Sequence, residues 1–410
     1  RGTKIFIGVV LALVIIVGLF FGLSRFITDL MWYGQLGFQS VVWTQLGVKI
    51  GLWVAYALLM ALTGFVSAWL AIRARPDSAD GSTIRINGDV VEVGKSVSSK
   101  TARRVAVVIS LIVGVIFGSQ FNANWSEILL MFNAQSFGTT DPQFGLDNGF
   151  YVFVLPGLKL VLAAVAMLLG VGLVFSVVTH VLMGGIRITM PVNGRGLFSI
   201  TKRCRRQLGI WLMLNMFAWA VRQMIGVFDQ LTVQGSRITG ASYTAVHANI
   251  PVTFIMAALT AILGVVLGIW LMRSHTLEGQ ASIGVRASAA LKAWRVPVTS
   301  IAVVVVVGLV LTVAWPVLLQ RFRVNPNAQE MESTYIQRNI DATRAAYGLD
   351  KLKTEQYKVT DKGEQGALAK EGDTTAQIRL LDPQVVSPTF KQLQQSKQYY
   401  TFADTLAVDK

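Results

Sequence analysis

Chemistry-bearing residues are scarce in this chain. It has one cysteine, Cys204, and therefore no internal disulfide. Its three histidines, His180, His247 and His275, fall in separate stretches without metal-ligand spacing, so neither a metal site nor a cofactor is expected. Only 14% of the residues are charged, and the 22 acidic ones are outnumbered by 37 basic ones. Glu127 is the one carboxylate set among aromatics, and no nearby nucleophile or second carboxylate supports an enzyme reading there. The ten prolines avoid the middle of every long apolar run. No internal repeat is evident either, whereas transporters built on broken helices often carry both features.

Apolar residues, 53% of the chain, are what it has in excess. They gather in seven continuous stretches, Ile5–Leu23, Leu46–Ile72, Val105–Phe121, Leu158–Leu182, Leu208–Phe228, Val252–Met272 and Val298–Leu319. A hydrocarbon core requires about 20 helical residues, and each stretch is close to that length or beyond it. Backbone polar groups in lipid are satisfied only in helices or closed barrels, and these runs do not alternate as barrel strands do. The fold class expected is an all-α polytopic membrane protein with seven transmembrane helices.

The connecting segments divide by charge. Segments 1–4, 73–104, 183–206 and 273–297 hold 19 Lys or Arg residues, whereas 24–45, 122–157 and 229–250 hold only Arg25 and Arg237. Lys and Arg are retained on the cytoplasmic side, which predicts an inside amino terminus and an extracytoplasmic carboxyl-terminal segment. Residues 1–320 form the expected membrane domain, and 321–410 the start of a large mixed α/β extracytoplasmic domain. Through residue 319 the chain holds 24 basic and 10 acidic residues, and the rest is nearly neutral. The net charge of +15 is therefore a matter of topology. Anionic lipid headgroups at the cytoplasmic face are its expected partners, and nucleic acid is not.

Smaller features mark the loops. Asn87-Gly88 between alternating apolar residues predicts a β-hairpin in the first basic loop. The loop Asn122–Pro156, in which Trp125–Phe132 has helical periodicity, is expected as an interfacial or re-entrant segment. Ser333–Tyr347 reads as a helix closed by Gly348, and Ser387-Pro388 as the start of another running through Tyr399. The chain opens without Met and stops inside a domain, so a longer protein is expected, with the first apolar run kept as a helix.

Three residues are candidates for a substrate or ion path, while the catalytic set stays unassigned. Arg222 and Asp229 lie seven apart near one end of the fifth run, on one helix face. They make either such a path or an interfacial ion pair that fixes packing. Glu127, among aromatics, reads as a desolvated acid or as an ordinary surface Glu. Lys49 and Lys159 are expected to snorkel, and His180 to make a structural hydrogen bond. Asp141 and Asp147, flanking Pro142 and Gly145, have turn spacing. Gly18/Gly22, Gly114/Gly118 and Gly264/Gly268 offer close-packing seams, within one subunit or between copies.

Seven stretches stand out together: Asp29-Leu30-Met31-Trp32-Tyr33, Asp141-Pro142-Gln143-Phe144, Phe150–Pro156, Gly184-Gly185-Ile186-Arg187, Gly240-Ala241-Ser242-Tyr243-Thr244, Tyr335–Asp350 and Ile378–Pro383. In this order they resemble uncharacterised protein family 0182, large bacterial multi-pass membrane proteins. The resemblance implies seven membrane helices followed by a large extracytoplasmic region in the bacterial plasma membrane. A membrane-anchored, PDZ-containing Lon-like protease is the partner it suggests. It carries no catalytic motif. The function expected is that of a non-enzymatic anchor and assembly protein of the cell envelope, forming a homo-oligomer. The alternatives are a transporter or channel component, and a transferase acting on a lipid-linked substrate at the outer face.

Overall fold

A computed structural model describes residues 2–75, 83–86, 89–92, 98–188, 198–235, 239–274, 283–356, 366, 372, 378, 381–394 and 402–405. These residues form two compact units, Arg1–Ala346 and Tyr347–Lys410. Among the described residues, seven helices are long and apolar enough to cross a membrane.

The first unit begins with α1 (Gly2–Gln35) and α2 (Gln39–Arg73). Gly37 ends α1 at φ +77°, and Phe38 N–H returns to Tyr33 O at 2.9 Å, a turn only a left-handed residue permits. Strands β1 (Thr83–Ile86) and β2 (Asp89–Glu92) then pair antiparallel where the hairpin is expected, although its turn, 87–88, lies outside the described residues. After α3 (Ser99–Phe121) and the short α4 (Trp125–Phe132) comes α5 (Leu155–Leu182). Strands β3 (Ile186–Ile188) and β4 (Phe198–Ile200) form a second hairpin before α6 (Lys202–Gly226) and α7 (Ile250–Arg273). The unit closes with α8 (Ile283–Leu309), α9 (Trp315–Leu318) and α10 (Ala328–Ala346).

Glycines set which helices touch. A Cβ at Gly114 would lie 2.5 Å from the Ala57 carbonyl oxygen, and one at Gly118 2.9 Å from that of Trp53. These contacts run α2 and α3 antiparallel. Gly264 and Gly268 of α7 meet Met216 and Met213 of α6, and Gly172 of α5 receives the Trp211 ring of α6. Two of the three glycine pairs are thus seams inside one chain, whereas among the described residues nothing lies within 4 Å of a Cβ placed on Gly18 or Gly22. Antiparallel packing also gathers Arg73, Lys100, Arg203 and Arg273 at one end of the bundle, its basic end.

The last membrane-length helix differs from expectation. It does not stop near Leu319; helical structure continues from Trp294 to Ala346, 53 residues. Prolines explain how. A proline lacks an N–H and crowds the carbonyl four residues before it. Widened π turns at Phe150–Val154, Ala245–Asn249, Val310–Ala314 and Leu319–Val324 each precede a proline, Pro156, Pro251, Pro316 and Pro326. The carbonyl crowded by each proline falls inside its π turn, so the helix bulges instead of breaking.

In the second unit α11 (Pro383–Gln394) starts earlier than expected. Asp382, not Ser387, caps it, accepting from Gln384 N–H at 2.9 Å. Ser387 Oγ instead donates to Ala403 O at 2.8 Å. The stretch 395–400, where the expected helix would end, is outside the described residues. Gly348, at φ +66°, does follow α10 as its closing residue.

Candidate functional site

The end of the bundle opposite the basic end carries most of the unusual side chains. Asp229 and Arg222 do not pair there. Asp229 instead accepts two bonds from Lys159 Nζ, at 2.8 and 2.9 Å, joining the start of α5 to the turn after α6. The reason is register: α5 and α6 run antiparallel, so Lys159 reaches the level of Asp229. Both side chains are more than a third exposed, so the pair contributes little by itself. Arg222 is exposed and has no partner among the described residues. Glu127, half-buried in the first turn of α4, is likewise without a hydrogen-bond partner among them. The three candidates are not brought together as one cluster.

Asp141 and Asp147 are structural. Asp141 is buried and accepts from the backbone N–H groups of Gln143, Phe144 and Leu146 at 2.6–2.9 Å and from the Tyr151 hydroxyl at 2.8 Å. Burial pushes its pKa up, but these four donors outweigh that and leave it lowered. Asp147 accepts from Ser136 Oγ at 2.6 Å and from the N–H groups of Phe137, Gly138 and Gly149. The Ser136 bond, with the backbone donors, holds it at about 2. With their lone pairs engaged, both carboxylates hold a loop in shape and are poor candidates for proton transfer.

Beside that loop, α10 is fastened to the segment between α6 and α7. Tyr243 N–H donates to Glu332 at 3.0 Å, Thr244 Oγ1 to Gln320 at 2.5 Å, and Asn339 Nδ2 to the Thr239 carbonyl at 2.8 Å. Tyr243 and His247 stack at 4.0 Å, with Tyr335 edge-on to both. Arg323 lies over Tyr243, and Arg338 reaches Gln143 of the aspartate-held loop at 3.3 Å. The Gly-Ala-Ser-Tyr-Thr and Tyr335-Ile336-Gln337-Arg338 motifs, almost a hundred residues apart, therefore form one contact. Spacing alone held no sign of that pairing.

A second polar cluster is buried among α2, α5 and α6. His180 Nε2 lies 3.0 Å from Gln207 Oε1, and Gln207 Nε2 donates to the Ser67 carbonyl and to Ser176 Oγ. Those two donations leave Oε1 as the acceptor, so His180 carries its proton on Nε2. Its Nδ1 has no hydrogen-bond partner among the described residues and would touch any side chain at Gly185. The hydrogen bond expected of His180 is present, while the contribution of Gln207 had no sequence signal.

Residues 6–410 match the sequence profile described as Uncharacterised protein family (UPF0182). The chain belongs to this family. A UPF0182 protein of Bifidobacterium longum is 99% identical over 408 residues, which is 100% of this chain and 38% of that relative. One from Bifidobacterium adolescentis is 78% identical over 410 residues, again 100% of this chain and 38% of the relative. A UPF0182 protein of Kocuria rhizophila is 37% identical over 404 residues, 98% of this chain and 38% of its own length. The chain thus spans well under half of the UPF0182 relatives it matches. No solved structure matches it.

Proposed function

We propose that this chain is the membrane anchor of a bacterial cell-envelope protein, holding the region after Ala346 outside the plasma membrane without catalysing a reaction. The observation that carries this reading is the continuous helical path from Trp294 to Ala346. At 1.5 Å per residue it runs ~80 Å, against ~30 Å of hydrocarbon core. The surplus is held by bonds to the loops between spans. Orientation follows from the gathering of basic residues at one end, which belongs on the cytoplasmic side, against anionic headgroups. Assembly with a second copy, or with a PDZ-containing protease, completes the proposal.

Single-cysteine labelling tests the orientation. Cys204 is fully buried and would escape a thiol reagent from either side. Lys100→Cys and Lys353→Cys, both at exposed positions, are the informative sites. A membrane-impermeant maleimide should label Lys353→Cys in intact cells, and Lys100→Cys only after lysis. The reverse pattern would overturn the reading.

A further inference from the structure

From the groove between α1 and α2 we infer a binding site for the phosphate headgroup of an anionic lipid, at the end of the bundle opposite the basic end. This goes beyond the anchor reading and does not depend on it. The groove has a volume of about 540 Å³ and includes Arg25, Asp29, Gln45 and Lys49 in its lining. Its two cations face one carboxylate, and among the described residues these four side chains make no ion pair or hydrogen bond with one another. Lys49 Nζ sits 5.3 Å from the centre of the Trp125 ring, a contact that leaves its charge unneutralised. A guanidinium and an ammonium with donors to spare are what a phosphate diester recognises.

Depth and surroundings favour a lipid over free phosphate. Helix α2, 35 residues, is ~52 Å long and outruns a ~30 Å hydrocarbon core. The apolar runs end at Leu23 and begin at Leu46, which puts Arg25 and Lys49 at headgroup level. Trp32 and Tyr33 on the same groove are residues of the type that settles at that interface. Below the cations the groove reaches Gly22, and Gly18 lies one turn further on the same face. Among the described residues, neither glycine has a neighbour within 4 Å of where a side chain would start, so this face of the apolar half of α1 is open. An acyl chain can lie along that open apolar face, and inorganic phosphate has no use for it.

Native mass spectrometry of the purified protein in mild detergent tests the site, with phosphatidylglycerol, phosphatidylcholine and inorganic phosphate as separate probes. The protein should retain phosphatidylglycerol in preference to phosphatidylcholine. The Arg25→Gln/Lys49→Gln double variant should lose retention about tenfold or more, the loss of at least one charge-assisted bond. Asp29→Asn removes the one carboxylate and should bind phosphatidylglycerol more tightly, a gain that misfolding cannot imitate. Equal retention of the two lipids, or a double variant that binds like the parent, would overturn the site. Uptake of inorganic phosphate without lipid would overturn the lipid assignment.

Discussion

Asp141 and Asp147 show how little the type of a residue says about its role. Each is a carboxylate near the predicted membrane interface, as Glu127 and Asp229 are, yet each is used up by N–H and O–H donors. Asp141→Ala would strand several of them, and a loss of roughly 2–4 kcal/mol is expected in detergent unfolding. Asp147 is held at about 2, below its ordinary 3.8, so its contribution is complete above pH ~4 and lost as pH falls toward 2. A spin label at Ala134→Cys should be immobile at pH 6 and mobile at pH ~1.5, below the folded pKa, and Asp147→Asn should free it at both. A label equally mobile at both pH values in the parent would show that the carboxylate does not hold the loop. Turn spacing around Pro142 and Gly145 was enough to read this role in advance. The partner of Asp229 was not readable, because it depends on which helix lies opposite.

At the scale of elements, glycine pairs of identical appearance have different fates. Gly114/Gly118 and Gly264/Gly268 lie against neighbouring helices, whereas among the described residues nothing comes within 4 Å of a Cβ placed on Gly18 or Gly22. Gly114→Leu should therefore destabilise the bundle by several kcal/mol, since the obstacle is the Ala57 backbone and overpacking of that kind cannot relax cheaply. Gly18→Leu should leave thermal stability within about 0.5 kcal/mol. Equal losses in a side-by-side thermal unfolding experiment would refute this division of the seams. Hydropathy located the helices because burial in lipid depends on local composition alone. The reach of the last one was not legible, since a proline signals an end unless a π turn absorbs its crowding.

For the whole molecule, the contact of α10 with the Tyr243 segment fastens the end of the helical path that carries the anchor reading. Glu332→Ala removes the acceptor for Tyr243 N–H, at an expected cost of about 1–2 kcal/mol, while Glu332→Gln keeps an acceptor and should restore most of it. Hydrogen exchange should show protection falling across Ala328–Ala346 and unchanged through α5, α6 and α7. If protection were lost equally across the bundle, Glu332 would be an ordinary stability residue and α10 no separable fastening.

Seven membrane-length helices, the basic asymmetry of their connections, the first hairpin and the closing Gly348 were all set by local sequence. Each rests on composition, spacing or one residue's backbone freedom within a short window, and neighbours far along the chain cannot change it. The tertiary structure alone decided that Asp229 meets Lys159, that Gln207 fixes the proton on His180, and that Tyr335 packs edge-on against Tyr243 and His247. Those contacts join residues 27 to 92 positions apart. Their partners follow from which helices lie side by side and in what register, and that is fixed by the packing of glycines, alanines and methionines across the bundle rather than by any pattern along it.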